Sequence, residues 1–377
     1  MRQLVQKARR VVVKVGSRTL ASDREVFGRL ADAVARAQAG GRSVVLVSSG
    51  AIALGAKKLG YPTRPKEMAK LQAAAAAGQS LLMRAYEEAF GARGLAVAQV
   101  LLTHADLADR ARVNNARAAL SALLDARAVP VLNENDSVSV EEIKFGDNDQ
   151  LSALVAPLVD AELLVLLSDI PGLLDAEGER VPEVRDITNE AMRLVRSGKS
   201  AEGTGGMASK LEAARLATLT GAQVVIADAR ARDVLDRVLA GDDVGTWFVA
   251  PEKRISAKRA WIAFTLRPRG ALVLDPGAAR AVTEKGKSVL SVGVLGVRGD
   301  FRAGDAVRLL SHEGVELGRG LSRLAVEAAT RVAGTKASAP VTPKAGGGKV
   351  ASKPDDDRDV LVHRDELVVF AKASAVG

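Results

Sequence analysis

Up to about residue 250 the chain alternates short apolar runs with longer stretches whose apolar positions recur every three or four residues. The runs at 11–15, 44–47, 95–102, 129–132, 163–167 and 224–227 predict strands, several of them apolar on both faces. Stretches 24–39, 66–90, 113–126 and 211–220 predict helices, the first ending at Gly40-Gly41 and the last at Gly221. Residues 190–199 also read as helical. Doubly apolar strands alternating with helices imply a mainly parallel sheet between two helix layers. A three-layer αβα sandwich is therefore expected for a first domain over 1–255.

The pattern changes after Pro251. Helical periodicity fades, and 271–274, 290–292, 306–310 and 361–362 predict short strands between Gly, Pro and Asp turns. This predicts a small β-rich domain over 265–377. Within it, 333–357 is rich in Ala, Gly, Lys, Ser and Pro and nearly devoid of large apolar residues. Such a composition cannot offset its ordering entropy, so a mobile segment is expected there.

Composition narrows the function classes. A chain of 377 residues supports two domains. The absence of cysteine excludes disulfides and thiolate zinc sites, and the 3 histidines (His104, His312, His363) are scattered and read as structural. No apolar run reaches membrane-spanning length, and Lys14 interrupts the only apolar run near the basic start. A cytoplasmic location is expected. The formal charge of +9 divides unevenly: residues 1–250 carry net +1 and residues 251–377 net +8. The basic final third is a candidate surface for nucleic acid or acidic partners, or serves solubility alone. With 3% aromatic residues, few side chains are available for base stacking.

In open parallel sheets, ligands bind beyond the carboxyl ends of the strands. The residues found there are informative. Lys14-Val15-Gly16-Ser17 follows the first run, and a lysine inside an apolar strand needs an anion, either a ligand or a structural partner. Ser48-Ser49-Gly50-Ala51 follows the second, where a serine also suits a helix N-cap. Asn133-Glu134-Asn135-Asp136 and Gly146-Asp147-Asn148-Asp149 surround the next strands. They could bind a metal, orient a lysine, hold an ammonium group, or only shape turns. The second cluster fails the calcium-loop template, since Leu151 occupies a ligand position and the following Gly is absent. Ser168-Asp169 closes the fifth run.

The segment Gly203-Thr204-Gly205-Gly206-Met207-Ala208-Ser209-Lys210 precedes a predicted helix. It reads as a glycine loop whose bare N–H groups, helix terminus and lysine suit phosphate, or as a plain surface turn. It fails the Walker pattern because serine, not glycine, precedes the lysine. It also fails the dinucleotide fingerprint, which must follow a strand directly. Two lysines, a glycine segment and several Asp and Asn groups at one sheet edge suit phosphoryl transfer.

The ordered set Val12-Val13-Lys14-Val15-Gly16, Ser48-Ser49-Gly50-Ala51-Ile52, Asn133–Asp136, Gly146–Asp149, Ser168-Asp169 and Gly203–Met207 with Lys210 resembles the glutamate 5-kinases of the amino acid kinase superfamily. The basic tail is similar to their C-terminal PUA domain. The resemblance implies ATP-dependent phosphorylation of the γ-carboxylate of L-glutamate with Mg²⁺. It implies that Lys14 and Lys210 stabilise the moving phosphoryl group and that Asp149 orients them. Ser49, Asp136, Asp147 and Asn148 would hold glutamate, and Lys14, Ser168, Asp169, Thr204, Gly205, Gly206, Met207, Ala208, Ser209 and Lys210 would contact ATP. It further implies feedback inhibition by proline and a homo-oligomer, a dimer or tetramer. Ser168 stands where threonine is common, Ala208 where serine is common, and 333–357 departs from the usual PUA sequence. Two competing readings are a kinase for another amino acid, such as an N-acylated glutamate, and an RNA-binding protein on a degenerate kinase fold.

Overall fold

Six of the apolar runs form the parallel body of one sheet: β1 (Arg10–Val15), β2 (Ser43–Ser48), β3 (Val97–Leu102), β4 (Val129–Glu134), β5 (Leu163–Ser168) and β7 (Gln223–Asp228). In this computed structural model, residues 2–22, 25–138, 148–187, 191, 204–252, 254–335 and 359–370 are described. Asp147, Gly203, most of the helical stretch at 190–199, and residues 336–357 lie outside them.

Two short strands complete the sheet, β6 (Glu183–Val184) and β8 (Thr246–Phe248), giving the order β3-β4-β2-β1-β5-β7-β8-β6. Only β8 on β7 is antiparallel. The carboxyl ends of β1, β2, β3, β4, β5 and β7 therefore share one edge. Along β1, Val11, Val13 and Val15 enter a core with helices Glu25–Ala39, Met68–Gly91 and Val234–Leu239. Val12 and Lys14 face the other side, where helix Asn148–Val155 packs on β1, β2, β4 and β5. Helices Arg110–Asp125 and Thr204–Leu219 join that second layer. The expected αβα sandwich is present.

The glycine segment differs from expectation. The helix predicted from 211 begins at Thr204, so Gly205, Gly206, Met207, Ala208, Ser209 and Lys210 lie within its first two turns. Glycine has poor helix propensity. The first-turn N–H groups lack intrahelical partners anyway, and packing on helix Asn148–Val155 supports the turn.

The chain divides into Met1–Ile255 and Ser256–Gly377. The second unit has a five-stranded sheet in the order β11-β9-β12-β13-β15, with β9 (Gly270–Leu274), β11 (Val294–Gly299), β12 (Ala306–Leu310), β13 (Glu316–Leu321) and β15 (Leu367–Val369). A separate antiparallel pair joins β10 (Val289–Leu290) and β14 (Val360–Val362). Its own core contains Leu272, Phe301, Val307, Leu309 and Leu361.

Candidate active site

Asp149 sits in the first turn of helix Asn148–Val155 and is 2% exposed. Lys14 reaches its Oδ1 at 2.6 Å from β1, and Lys210 reaches its Oδ2 at 3.0 Å from helix Thr204–Leu219. The lysines are 7% and 9% exposed, so both are held out of bulk water. Burial pushes the Asp149 carboxyl up, but attraction to Lys14 and then Lys210, with their hydrogen bonds, outweighs it. The net shift is below the ordinary carboxylate value. The Ser209 hydroxyl lies 3.3 Å from Oδ2, and Ser152 donates to the Asp149 carbonyl at 2.6 Å. Lys210 also donates to the Gly206 carbonyl at 3.3 Å. Two cations share one anion, which leaves a fixed positive centre at the sheet edge.

Asn148, the preceding residue, joins two strand ends. Its Nδ2 donates to the Ser48 carbonyl at 2.9 Å, to Ser49 Oγ at 2.7 Å and to Asn133 Oδ1 at 3.0 Å. Since Ser49 Oγ accepts here, its own proton is free to point elsewhere. The fully buried Tyr86 hydroxyl donates to Ser48 Oγ at 2.8 Å and braces the same turn. Asn148 Oδ1 is buried and accepts no hydrogen bond among the described residues.

A cavity of about 580 Å³ opens beside Asn148, within the usual size of a small-molecule site. Ser17, Ser49, Asn133, Asp136 and Asn148 line it, together with Ala51, Ile52 and Ala53 at the start of helix Ala51–Lys58. Gly50 turns the chain into that helix at φ +102°, a conformation suited to glycine. The helix start offers unpaired N–H groups to an anion. Lys57 and Arg64 stand at the rim.

On the other side of β1, Ser168 donates to Asp169 at 3.2 Å, and Arg18 holds the Asp169 carboxylate at 2.9 Å. The hydrogen bond from Arg18 holds that carboxyl below its ordinary value. Arg230 grips both oxygens of Asp228 and donates to the Asp169 carbonyl at 2.8 Å.

Lys14, Asp149, Ser209 and Lys210 thus meet directly, and Ser49, Asp136 and Asn148 meet at the cavity. Ser168 and Asp169 lie at the end of the strand next to β1. Gly206, Met207 and Ala208 lie on the same helical turns as Lys210. Asp147 is outside the described residues. Arg18, Arg230, Tyr86 and Gln79 were not singled out by sequence. Arg18 lies one residue past the Lys14–Ser17 segment, which was the only available signal.

Residues 9–228 match the amino acid kinase family, and residues 270–342 match the PUA domain. The chain belongs to the amino acid kinase family. A glutamate 5-kinase of Pelobacter propionicus is 44% identical over 98% of this chain and 100% of its own length. One of Thermus thermophilus is 49% identical over 88% and 91% of the two chains, and one of Myxococcus xanthus 45% over 98% of each. Within the amino acid kinases, this chain is a member of the glutamate 5-kinase family.

Proposed function

We propose that this chain transfers the γ-phosphoryl group of ATP to the γ-carboxylate of L-glutamate, giving γ-glutamyl phosphate, the first step of proline biosynthesis. The observation that carries the reading is the bridge of Asp149 between Lys14 and Lys210 beside a polar cavity. The glutamate carboxylate is ionised at neutral pH, so attack needs no general base. The obstacle is repulsion between two anions. The lysines offset it as the phosphoryl group passes to the acceptor oxygen and negative charge builds on the leaving ADP, each contact supplying roughly 3–4 kcal/mol. Asp149 keeps the two ammonium groups in place.

In this reading the glutamate α-carboxylate meets the start of helix Ala51–Lys58 and the Ser49 hydroxyl. The ammonium group meets Asp136 and the Asn148 side chain at the cavity wall. Asp147 is assigned to glutamate from the family likeness alone. ATP lies along Ser168, Asp169 and the Thr204–Lys210 turns. Among the described residues no cluster of three or more His, Asp or Glu could hold a metal ion. Mg²⁺ is proposed to enter on the nucleotide phosphates, which is its common mode, and no step here is routed through it. Residues 1–255 are proposed as the catalytic domain and 265–377 as the PUA-like domain.

The test is turnover of ATP and L-glutamate with hydroxylamine trapping of the acyl phosphate, alongside N-acetylglutamate as competitor substrate. Formation of the hydroxamate from L-glutamate is expected. Preference for the acylated substrate would overturn the choice of acceptor. The family likeness also supports a cytoplasmic enzyme, inhibition by proline and assembly into a dimer or tetramer, and the net positive charge of the last third motivates RNA contact by the basic unit. Glutamate kinetics with proline, light scattering and salt-dependent RNA binding test the last three.

A further inference from the structure

From the cavity wall inward, three amide side chains form a series with a fixed direction. The Glu134 backbone N–H donates to Asn133 Oδ1 at 2.9 Å, and Asn148 Nδ2 donates to the same oxygen. A backbone N–H can only donate, so Asn133 must present its oxygen on that side. Its Nδ2 then faces away and donates to Gln79 Oε1 at 2.9 Å. Asn133 is 2% exposed, so water cannot replace this acceptor at little cost. Gln79 Nε2 is buried and has no partner among the described residues. Among the described residues the acceptor oxygen is therefore the hydrogen-bonding function this side chain uses. Gln79 is fixed by its neighbour Gly78, where helix Met68–Gly91 crosses helix Ala51–Lys58 without room for a Cβ.

We infer that Gln79 is a positioning residue for glutamate: it holds Asn133, which holds the Asn148 side chain in place at the glutamate cavity. The inference rests on the glutamate-kinase reading above. Without the Gln79 oxygen, Asn133 Nδ2 is orphaned, and the side chain turns to another acceptor in the free enzyme. Substrate must then bind the fraction that remains correctly arranged, which raises the apparent dissociation constant by the inverse of that fraction. Once glutamate is bound the arrangement is restored, so the chemical step is spared.

Steady-state kinetics of full-length variants test this. Gln79→Leu and Gln79→Met are expected to raise KM for L-glutamate about tenfold, the factor for one modest hydrogen bond. Their kcat and their KM for ATP are expected to stay near those of the unmodified chain. Gln79→Glu keeps the acceptor, discards a donor that has no partner among the described residues and adds a carboxyl, so it is expected to recover most of the glutamate KM. Gln79→Leu combined with Asn133→Ala is expected to match Asn133→Ala alone, since one acts through the other. Unchanged glutamate KM in both Leu and Met variants, a Glu variant as impaired as they are, or full additivity with Asn133→Ala would each overturn the inference. No glutamate turnover by the unmodified chain would instead overturn the reading beneath it.

Discussion

Asp149 is the residue on which the site turns, because it holds two buried ammonium groups with one carboxylate. Asp149→Asn keeps the shape and removes the charge, leaving Lys14 and Lys210 without their anion. Breaking a buried ion pair in this way is expected to lower stability by about 3 kcal/mol at neutral pH. The effect has a definite pH dependence. The folded-state value of Asp149 is lowered from an ordinary value of about 3.9. Its contribution is therefore complete above about pH 5 and fades as pH falls through the lowered folded value. Urea unfolding midpoints of the unmodified chain and Asp149→Asn should differ at pH 7 and converge in acid. A gap that widens in acid would contradict this linkage. Lys210→Ala leaves the Lys14–Asp149 pair intact, so the fold should survive. Its kcat is expected to fall by about 10²–10³, the usual loss for one donor aimed at developing charge. Circular dichroism with hydroxamate trapping checks both halves, and a fully active variant would remove Lys210 from the mechanism.

Elements were legible in proportion to how strongly burial marks them. The doubly buried strands β1, β2, β5 and β7 are near-continuous apolar runs, and the structure places them within a residue or two of the pattern. Lys14 and the Ser48-Ser49 turn were legible because they break such runs at their ends. Helix Thr204–Leu219 was read too short, since glycine signals a loop locally while packing on helix Asn148–Val155 decides the outcome. Strand β13 was missed for a related reason. Gly318 and Gly320 weaken its pattern, yet a Cβ on Gly318 would meet the Val368 backbone of the neighbouring strand. Gln79 was invisible, because its role depends on a crossing that brings Gly55 and Gly78 together from separate helices. A Cβ at Gly78 would penetrate the Ala51 carbonyl, and one at Gly55 the Ala74 carbonyl. Gly78→Ala is therefore expected to cost about 1–3 kcal/mol through overpacking. Because helix Ala51–Lys58 walls the cavity, the same change should raise KM for glutamate more than KM for ATP. Thermal unfolding and two-substrate kinetics measure these effects, and equal rises for both substrates would mean the crossing does not set the glutamate wall.

At the scale of the whole molecule, chemistry and charge are segregated. Every residue of the Lys14–Asp149–Lys210 bridge, the glutamine–asparagine series and the cavity belongs to Met1–Ile255, whose residues carry little net charge. Ser256–Gly377 has a separate apolar core and most of the net positive charge. A unit with its own core and a complete site should fold and turn over by itself. A fragment of residues 1–255 is therefore expected to show a cooperative unfolding transition and to form γ-glutamyl hydroxamate with KM values for ATP and glutamate close to those of the full chain. The full chain should bind polyanions more tightly than the fragment, with an affinity that falls as salt rises, because the excess positive charge has been removed with the second unit. A folded fragment without turnover would overturn the assignment of the entire site to the first unit. A fragment that keeps the salt-dependent binding would show that the polyanion surface does not follow the net charge.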